Sequence, residues 1–393
     1  MPGPNRERRL QRRAQRAQRA LDSPPATPAE TPSAHRAKIL YLHIGTEKTG
    51  STTLQNFARV NHKALQAMGL HYPITQDGIK IHAALPAYAS AVTRPPKLGR
   101  NYEIDGPESL ERFRTDYETV LGTGLRQSGC KAMLLSNERL SAYIRRPAEI
   151  ARLQSLAHAL AEEVKIVIYL RDQPDMFLSA YSTGIKAGRD AEMRPPVKSG
   201  TYYYDYEQII AAWAGVFGQS AMIVRVFDRR ELVGGDIIDD FLAAIGMATS
   251  AGFERTPDIN TRLDGRTTQF LRLFNRYVPR MVGAEVNPDR GRIAAVLAEI
   301  SDGPRFSLSQ EVVGAIHAAF AKSNARVAQE YFGREDGVLF RPSAYESVPH
   351  APLTVEQAVE IAAKLWRAQL AETRNRVPVP VPVPDPDSVD DEE

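Results

Sequence analysis

A chain of 393 residues, 43% hydrophobic and 25% charged, is long enough for one large core domain with a substantial appendage. Its formal net charge of +3 is too small for a nucleic-acid coat, so no specific nucleic-acid partner is expected. The single cysteine, Cys130, excludes an intramolecular disulfide and a thiolate zinc cluster, and reads as a small buried residue in a reducing compartment. No apolar run approaches the roughly 20 residues of a spanning helix, and charges stand where a secretory signal would be apolar. A cytoplasmic protein without a transmembrane segment is the expectation.

Residues 1–36 carry Arg6, Arg8, Arg9, Arg12, Arg13, Arg16 and Arg19 but almost no large apolar side chains, and are expected to form a disordered basic arm. The first strand is predicted at residues 38–44, KILYLHI, followed by a glycine-bearing turn and a helix over 52–68. LHYP, from Leu70, reads as a short second strand, KAMLLS at 131–136 as a third, VKIVIYL at 164–170 as a fourth and AMIVRVF at 221–227 as a fifth. Helices are expected at 147–163 and 206–217. Near-continuous apolar strands alternating with helices point to a three-layer α/β fold around a central parallel sheet buried on both faces. Residues 37–250 form this core and 251–376 a mainly helical C-terminal part of the same unit with little strand. Residues 377–393, a Val-Pro run ending in Asp385, Asp387, Asp390, Asp391, Glu392 and Glu393, read as a disordered tail.

The chemistry concentrates in HIGTEKTGSTTLQ, residues 43–55, where the first strand turns into the first helix. Backbone amides at such a turn, with the positive end of the helix, make an anion cradle. Gly45 and Gly50 permit close backbone approach, Lys48 supplies charge, and Thr49, Ser51, Thr52 and Thr53 supply hydroxyls. Phosphate binding is the natural reading. The usual nucleoside-triphosphate loop G-x-x-x-x-G-K-[ST] has its lysine after the second glycine; here Ser51 stands there and the lysine lies inside the loop.

In this respect the sequence resembles the sulfotransferases that use 3′-phosphoadenosine-5′-phosphosulfate (PAPS), a P-loop fold whose bacterial members read HIG-x-x-KTG-[ST]-T-x-LQ. Gly45, Lys48, Gly50, Ser51 and Thr52 match that loop. The family's 3′-phosphate site is an arginine after an apolar strand and a serine eight residues on. Arg171 after VKIVIYL and Ser179 in DMFLSAYS match it, as does Pro174 in Arg-x-x-Pro. The likeness covers about residues 37–250. It implies PAPS as co-substrate, no metal, and transfer of a sulfuryl group to a hydroxyl or amine of a glycan, lipid or small molecule. Lys48 is then placed to stabilise charge on the bridging oxygen.

The acceptor must lose a proton, and the resemblance implies a His or Glu base. Glu138, just after the third strand in LLSNERLS, stands where relatives carry their base. His82 in KIHAALP is the second candidate and His71 the third; Ser136 and Asn137 are placed to orient base or acceptor. The acceptor pocket is expected in loops 74–108 and 184–203. Asn260 and Arg262 are noted without a role. Two other readings stay open: a nucleotide kinase or NTPase on the same loop, against which a magnesium-holding aspartate at a strand end is missing, and a non-catalytic binding module.

Overall fold

The computed structural model describes residues 36–75, 79–91, 102, 104–247, 252–255, 263–283, 285–290, 292–304, 306–342 and 352–376. The chain divides into Met1–Arg36 and Ala37–Glu393, and the following concerns the second unit. The basic arm, the acidic tail, Asn260, Arg262 and most of the 92–103 loop lie outside the described residues.

The core is a five-stranded parallel sheet in the order β2-β3-β1-β4-β5, built from β1 (Ala37–Gly45), β2 (Leu70–His71), β3 (Ala132–Ser136), β4 (Ala161–Leu170) and β5 (Met222–Val226). Alternation explains why the strands read as continuous apolar runs. Leu40, Leu42 and Ile44 of β1, with Ile166, Ile168 and Leu170 of β4, bury into one helical layer. Val167 and Tyr169 of β4, with Leu134 of β3, face the other. β1 is central: its register sets His43 beside Ser136 on one side and beside Val167 on the other. The chain leaves β1 toward one side of the sheet and returns to the other at β4. This reversal opens a crevice at the carboxyl ends of the strands, where open α/β sheets bind ligands.

Two helices follow β1, α1 (Ser51–Val60) and α2 (His62–Ala67), where one was expected. Asn61 makes the break. Its amide donates to the Phe57 carbonyl and to the Glu254 carbonyl, both at 2.9 Å, while its Oδ1 accepts from Glu254 N at 2.8 Å. The side chain competes with the helix for backbone groups and pins it to a distant loop. Within 74–108, expected as loop, lies α3 (Ile81–Ala89), and a long helix not anticipated, α4 (Pro107–Ser128), starts at a proline and stops at a left-handed Gly129.

A short helix α5 (Arg139–Tyr143) follows β3, and α6 (Pro147–Leu160) ends three residues before the expected boundary because β4 begins at Ala161. Next come α7 (Gln173–Lys186), α8 (Tyr206–Phe217) and α9 (Ile237–Ala244). The bounds of α8 match the expectation because Asp205 caps its N-terminus through Gln208 N, and Gly218 follows its end. The C-terminal part is helical as expected, with α10 (Gly265–Tyr277), α11 (Ile293–Glu299), α12 (Gln310–Phe332) and α13 (Val355–Arg376). It also holds a small antiparallel hairpin, β6 (Met281–Val282) with β7 (Glu285–Val286), too short to carry an alternating pattern. α12 ties this part to the crevice: Asn324 and Gln173 exchange amide hydrogen bonds at 2.8 and 3.1 Å, and His317 contacts Asp172 at 2.9 Å. Among the described residues no helix is long and apolar enough to cross a membrane.

Candidate functional site

The loop between β1 and α1 is fixed from below. Thr46 donates twice to the Tyr169 carbonyl at the end of β4, from its amide at 3.0 Å and its hydroxyl at 2.9 Å. Thr49 Oγ1 donates to the Thr46 carbonyl at 2.6 Å, so the buried Thr49 braces the loop against itself. Gly45 and Gly50 adopt φ of 112° and 79°. A Cβ on Gly45 would lie 2.8 Å from the Glu138 carbonyl oxygen and 3.0 Å from Glu138 Cα, so β1 turns directly against the β3–α5 corner. Lys48 also takes a left-handed φ of 70°.

α1 opens at Gly50 with no side-chain cap. The first-turn amides of Ser51 and Thr52 therefore have no intrahelical acceptor, while the Thr52 side chain is exposed. Ser51 is buried, its hydroxyl 3.4 Å from the Thr46 carbonyl, and Thr53 is half-buried. This is the donor set an anionic group needs at a helix N-terminus.

Arg171 and Lys48 meet at this loop. Arg171 Nη1 donates to the Lys48 carbonyl at 2.8 Å and its guanidinium lies 5.7 Å from the centre of the Phe227 ring. Lys48 Nζ rests on Thr183 Oγ1 at 2.9 Å, and the Thr183 hydroxyl donates to the Ser179 carbonyl at 2.9 Å. Thr183 and Ser179 are one turn apart on α7, so the lysine reaches the helix that carries the serine. Burial pushes the Lys48 amine below its ordinary pKa; Glu47 and Glu138 oppose this and Arg171 adds to it. The ammonium is thus partly desolvated between two carboxylates and a guanidinium.

Glu138 is half-buried, and its Oε2 accepts from Gln55 Nε2 at 2.9 Å. The same Gln55 nitrogen lies 3.3 Å from Ser136 Oγ, which contacts His43 Nδ1 at 2.8 Å. A chain of contacts thus runs from the buried His43 through Ser136 and Gln55 to Glu138. Burial pushes His43 down to about 4, against smaller opposing contributions from Glu138 and the Gly45 backbone, so its ring is neutral near pH 7. Among the described residues Glu138 forms no salt bridge. Arg145 turns to the Ala142 carbonyl at 3.0 Å and over the Tyr202 ring, and Arg139 N donates to Asn137 Oδ1 at 2.9 Å.

His82 sits behind the end of β3. Its Nδ1 accepts from Ser136 N at 3.2 Å, its carbonyl accepts from Asn137 Nδ2 at 2.7 Å, and its ring stacks on Tyr72 with centroids 4.1 Å apart. The residue keeps some accessibility as a whole, but Nε2 is shut off from solvent. Enclosure of the ring pushes its pKa down to about 4. His71, on β2, is lowered by burial as well. Lys48, Arg171 and Glu138 thus lie together at one loop, Ser179 lies one turn along α7 from the Thr183 that Lys48 reaches, and His82 sits behind the end of β3.

Sequence reasoning gave no role to Gln55, Thr183, Glu47 or Tyr203. Tyr203, in a turn spanning Tyr202–Tyr204, donates to Glu47 Oε2 at 2.5 Å and walls one side of the loop; burial, then Glu47, raise its pKa. Gln55 was visible as the last letter of the loop motif, and Thr183 as the residue one turn beyond Ser179. A cavity of about 10 Å³ under α1, lined by His43, Leu54, Gln55, Phe57, Tyr72 and Ser136 among others, has room for no more than about one water.

No protein-family model matches the chain. An uncharacterized protein of Archaeoglobus fulgidus is 28% identical over 179 residues, 44% of this chain and 47% of that protein. The chain thus spans about half the length of this curated relative. Among solved structures the chain is similar to a sulfotransferase from Alicyclobacillus acidocaldarius, with a TM-score of 0.40 at 15% identity, covering 76% of this chain and 96% of that one. It is also similar to the sulfotransferase domain of the Synechococcus PCC 7002 olefin synthase, with a TM-score of 0.31 at 11% identity, covering 71% of this chain and 100% of that one. A third is the sulfotransferase domain of the curacin biosynthetic pathway, with a TM-score of 0.30 at 9% identity, covering 85% and 99%.

Proposed function

We propose that this chain is a sulfotransferase that takes a sulfuryl group from PAPS and passes it to a hydroxyl or amine of a glycan, lipid or small molecule. The observation that carries the reading is the meeting of Lys48 with both halves of a nucleotide site. Its carbonyl holds Arg171 at 2.8 Å and its ammonium reaches Thr183, one turn from Ser179, at 2.9 Å. The arginine and serine suit a 3′-phosphate, and the uncapped start of α1 with Ser51 and Thr52 suits the 5′-phosphosulfate.

In this reading the acceptor oxygen or nitrogen bonds to sulfur as the bond from sulfur to the 5′-phosphate oxygen breaks, and the acceptor proton passes to Glu138. The Lys48 ammonium moves from Thr183 to the bridging oxygen, where negative charge grows only as the bond breaks. Gln55 holds the Glu138 carboxylate, with Ser136 and His43 behind it. His82 supports the end of β3 and so acts on Glu138 by position.

The test is turnover of labelled PAPS over a panel of glycan, lipid and small-molecule acceptors. Lys48→Ala should lower turnover by about 100-fold or more, since its charge matters chiefly in the transition state. Glu138→Gln should abolish acceptor-dependent turnover while nucleotide affinity holds. A fully active Glu138→Gln beside a dead His82→Ala would move the base to His82; full activity in Lys48→Ala would refute the mechanism.

A further inference from the structure

α13 presents two unlike faces. Ile361 is buried against α10 and α11, and Ala358, Leu365 and Ala368 are half-buried on the same side. Turned about 100° per residue, the side about 130° around the helix carries Val355, Val359, Ala362, Ala363, Trp366 and Leu370 in one stripe. Four of these are large and open to solvent: Val355 is 81% exposed, Val359 62%, Trp366 63% and Leu370 40%. An apolar helix face with this much open surface, tryptophan included, is the kind of patch that marks an interaction site.

The charges beside the stripe say which partner fits. One edge carries Glu356 and Glu360 in the N-terminal half of the helix and Arg367 in the C-terminal half. A parallel copy brings unlike edges together and sets both glutamates against the Ala362 and Gln369 edge, which offers no cation. An antiparallel copy, related by a two-fold axis near Lys364 and Leu365, sets Glu360 of each chain near Arg367 of the other. The same axis lays Val359 over Leu370 and Ala363 over Trp366, small against large, as helices pack. Glu360 now pairs with Lys364 at 2.8 Å, an exposed contact that a dimer can share. A stripe that complements itself under a two-fold rotation is the mark of an isologous interface.

We propose that this chain forms a homodimer by antiparallel pairing of α13 with α13 of a second copy. The contact is one helix wide, at the small end of specific interfaces, so the dimer dissociates on dilution.

Sedimentation equilibrium of the full chain from about 1 to about 200 µM tests this, a range chosen for an interface of that size. The expected result is a monomer–dimer equilibrium, with Trp366 emission moving to shorter wavelength as concentration rises while the buried Trp213 stays constant. Trp366→Glu and Leu370→Glu should each be monomeric throughout with unchanged circular dichroism and melting temperature. Glu360→Arg and Arg367→Glu should each weaken the dimer about 10-fold or more, and the two together should restore it. A monomer at every concentration overturns the proposal, as does a dimer indifferent to Trp366→Glu and Leu370→Glu. If removing residues 377–393 is needed for dimers to appear, the tail covers the stripe and the proposal is likewise overturned.

Discussion

Gly45 and Gly69 make a controlled pair. Both have a φ in the region that favours glycine, 112° and 87°, so alanine at either meets backbone strain of about 1–2 kcal/mol. They differ in space. Nothing lies within 4 Å of a Cβ on Gly69, whereas a Cβ on Gly45 would meet the backbone of Glu138 at 2.8 and 3.0 Å and Ser141 Oγ at 3.1 Å. Backbone atoms cannot swing away as a long side chain can, so overpacking adds about 1–3 kcal/mol at Gly45 alone. Gly45→Ala should therefore cost about 2–5 kcal/mol and Gly69→Ala about 1–2 kcal/mol. Equilibrium denaturation in guanidinium reads the difference as a shift in midpoint at constant slope. Relief of the contact also pushes Glu138 away from Lys48, so Gly45→Ala should lose turnover that Gly69→Ala keeps. Equal costs, within about 0.5 kcal/mol, would refute the close approach of β1 to the β3–α5 corner.

Two further outcomes follow from the chain of contacts behind Glu138. His43 is fully buried and held down to about 4, against an ordinary value of 6.5, so the unfolded chain takes up its proton first as pH falls. Its contribution is nil above about pH 6.5 and becomes a loss of about 3 kcal/mol by about pH 4; denaturation midpoints across that window should fall, and His43→Gln should fall less steeply. Gln55→Ala removes one hydrogen bond to a carboxylate, so kcat should drop about 10-fold while the Kd for nucleotide, measured separately, stays unchanged.

The central strands were legible because a parallel sheet buried on both faces leaves unbroken apolar runs, as in IVIYL of β4, and the loop was legible because its glycines and hydroxyls are contiguous. α8 was bounded correctly by its own caps, Asp205 and Gly218. The break at Asn61 was not legible, because its hydrogen-bond partner Glu254 lies 193 residues away. The same holds for the site. Lys48 finds Thr183 across 135 residues, and Gln55 finds Glu138 across 83. Both contacts depend on β1 lying between β3 and β4, an order that no local pattern states. α4 escaped notice for another reason: its buried face, Leu110, Phe113, Tyr117, Leu121 and Leu125, is spread through a segment otherwise dense in charge.

The central claim is that the loop of Lys48, with Arg171 and Ser179, holds a nucleotide bearing phosphate at both ends of its ribose. Calorimetry of the purified chain with adenosine 3′,5′-bisphosphate and with ATP, each with and without a chelator, tests this most directly. The account predicts that the bisphosphate binds much more tightly than ATP, that chelator changes nothing, and that Arg171→Ala erases the preference. Equal affinity for ATP, or binding that requires magnesium, would contradict it and return the loop to nucleoside-triphosphate chemistry.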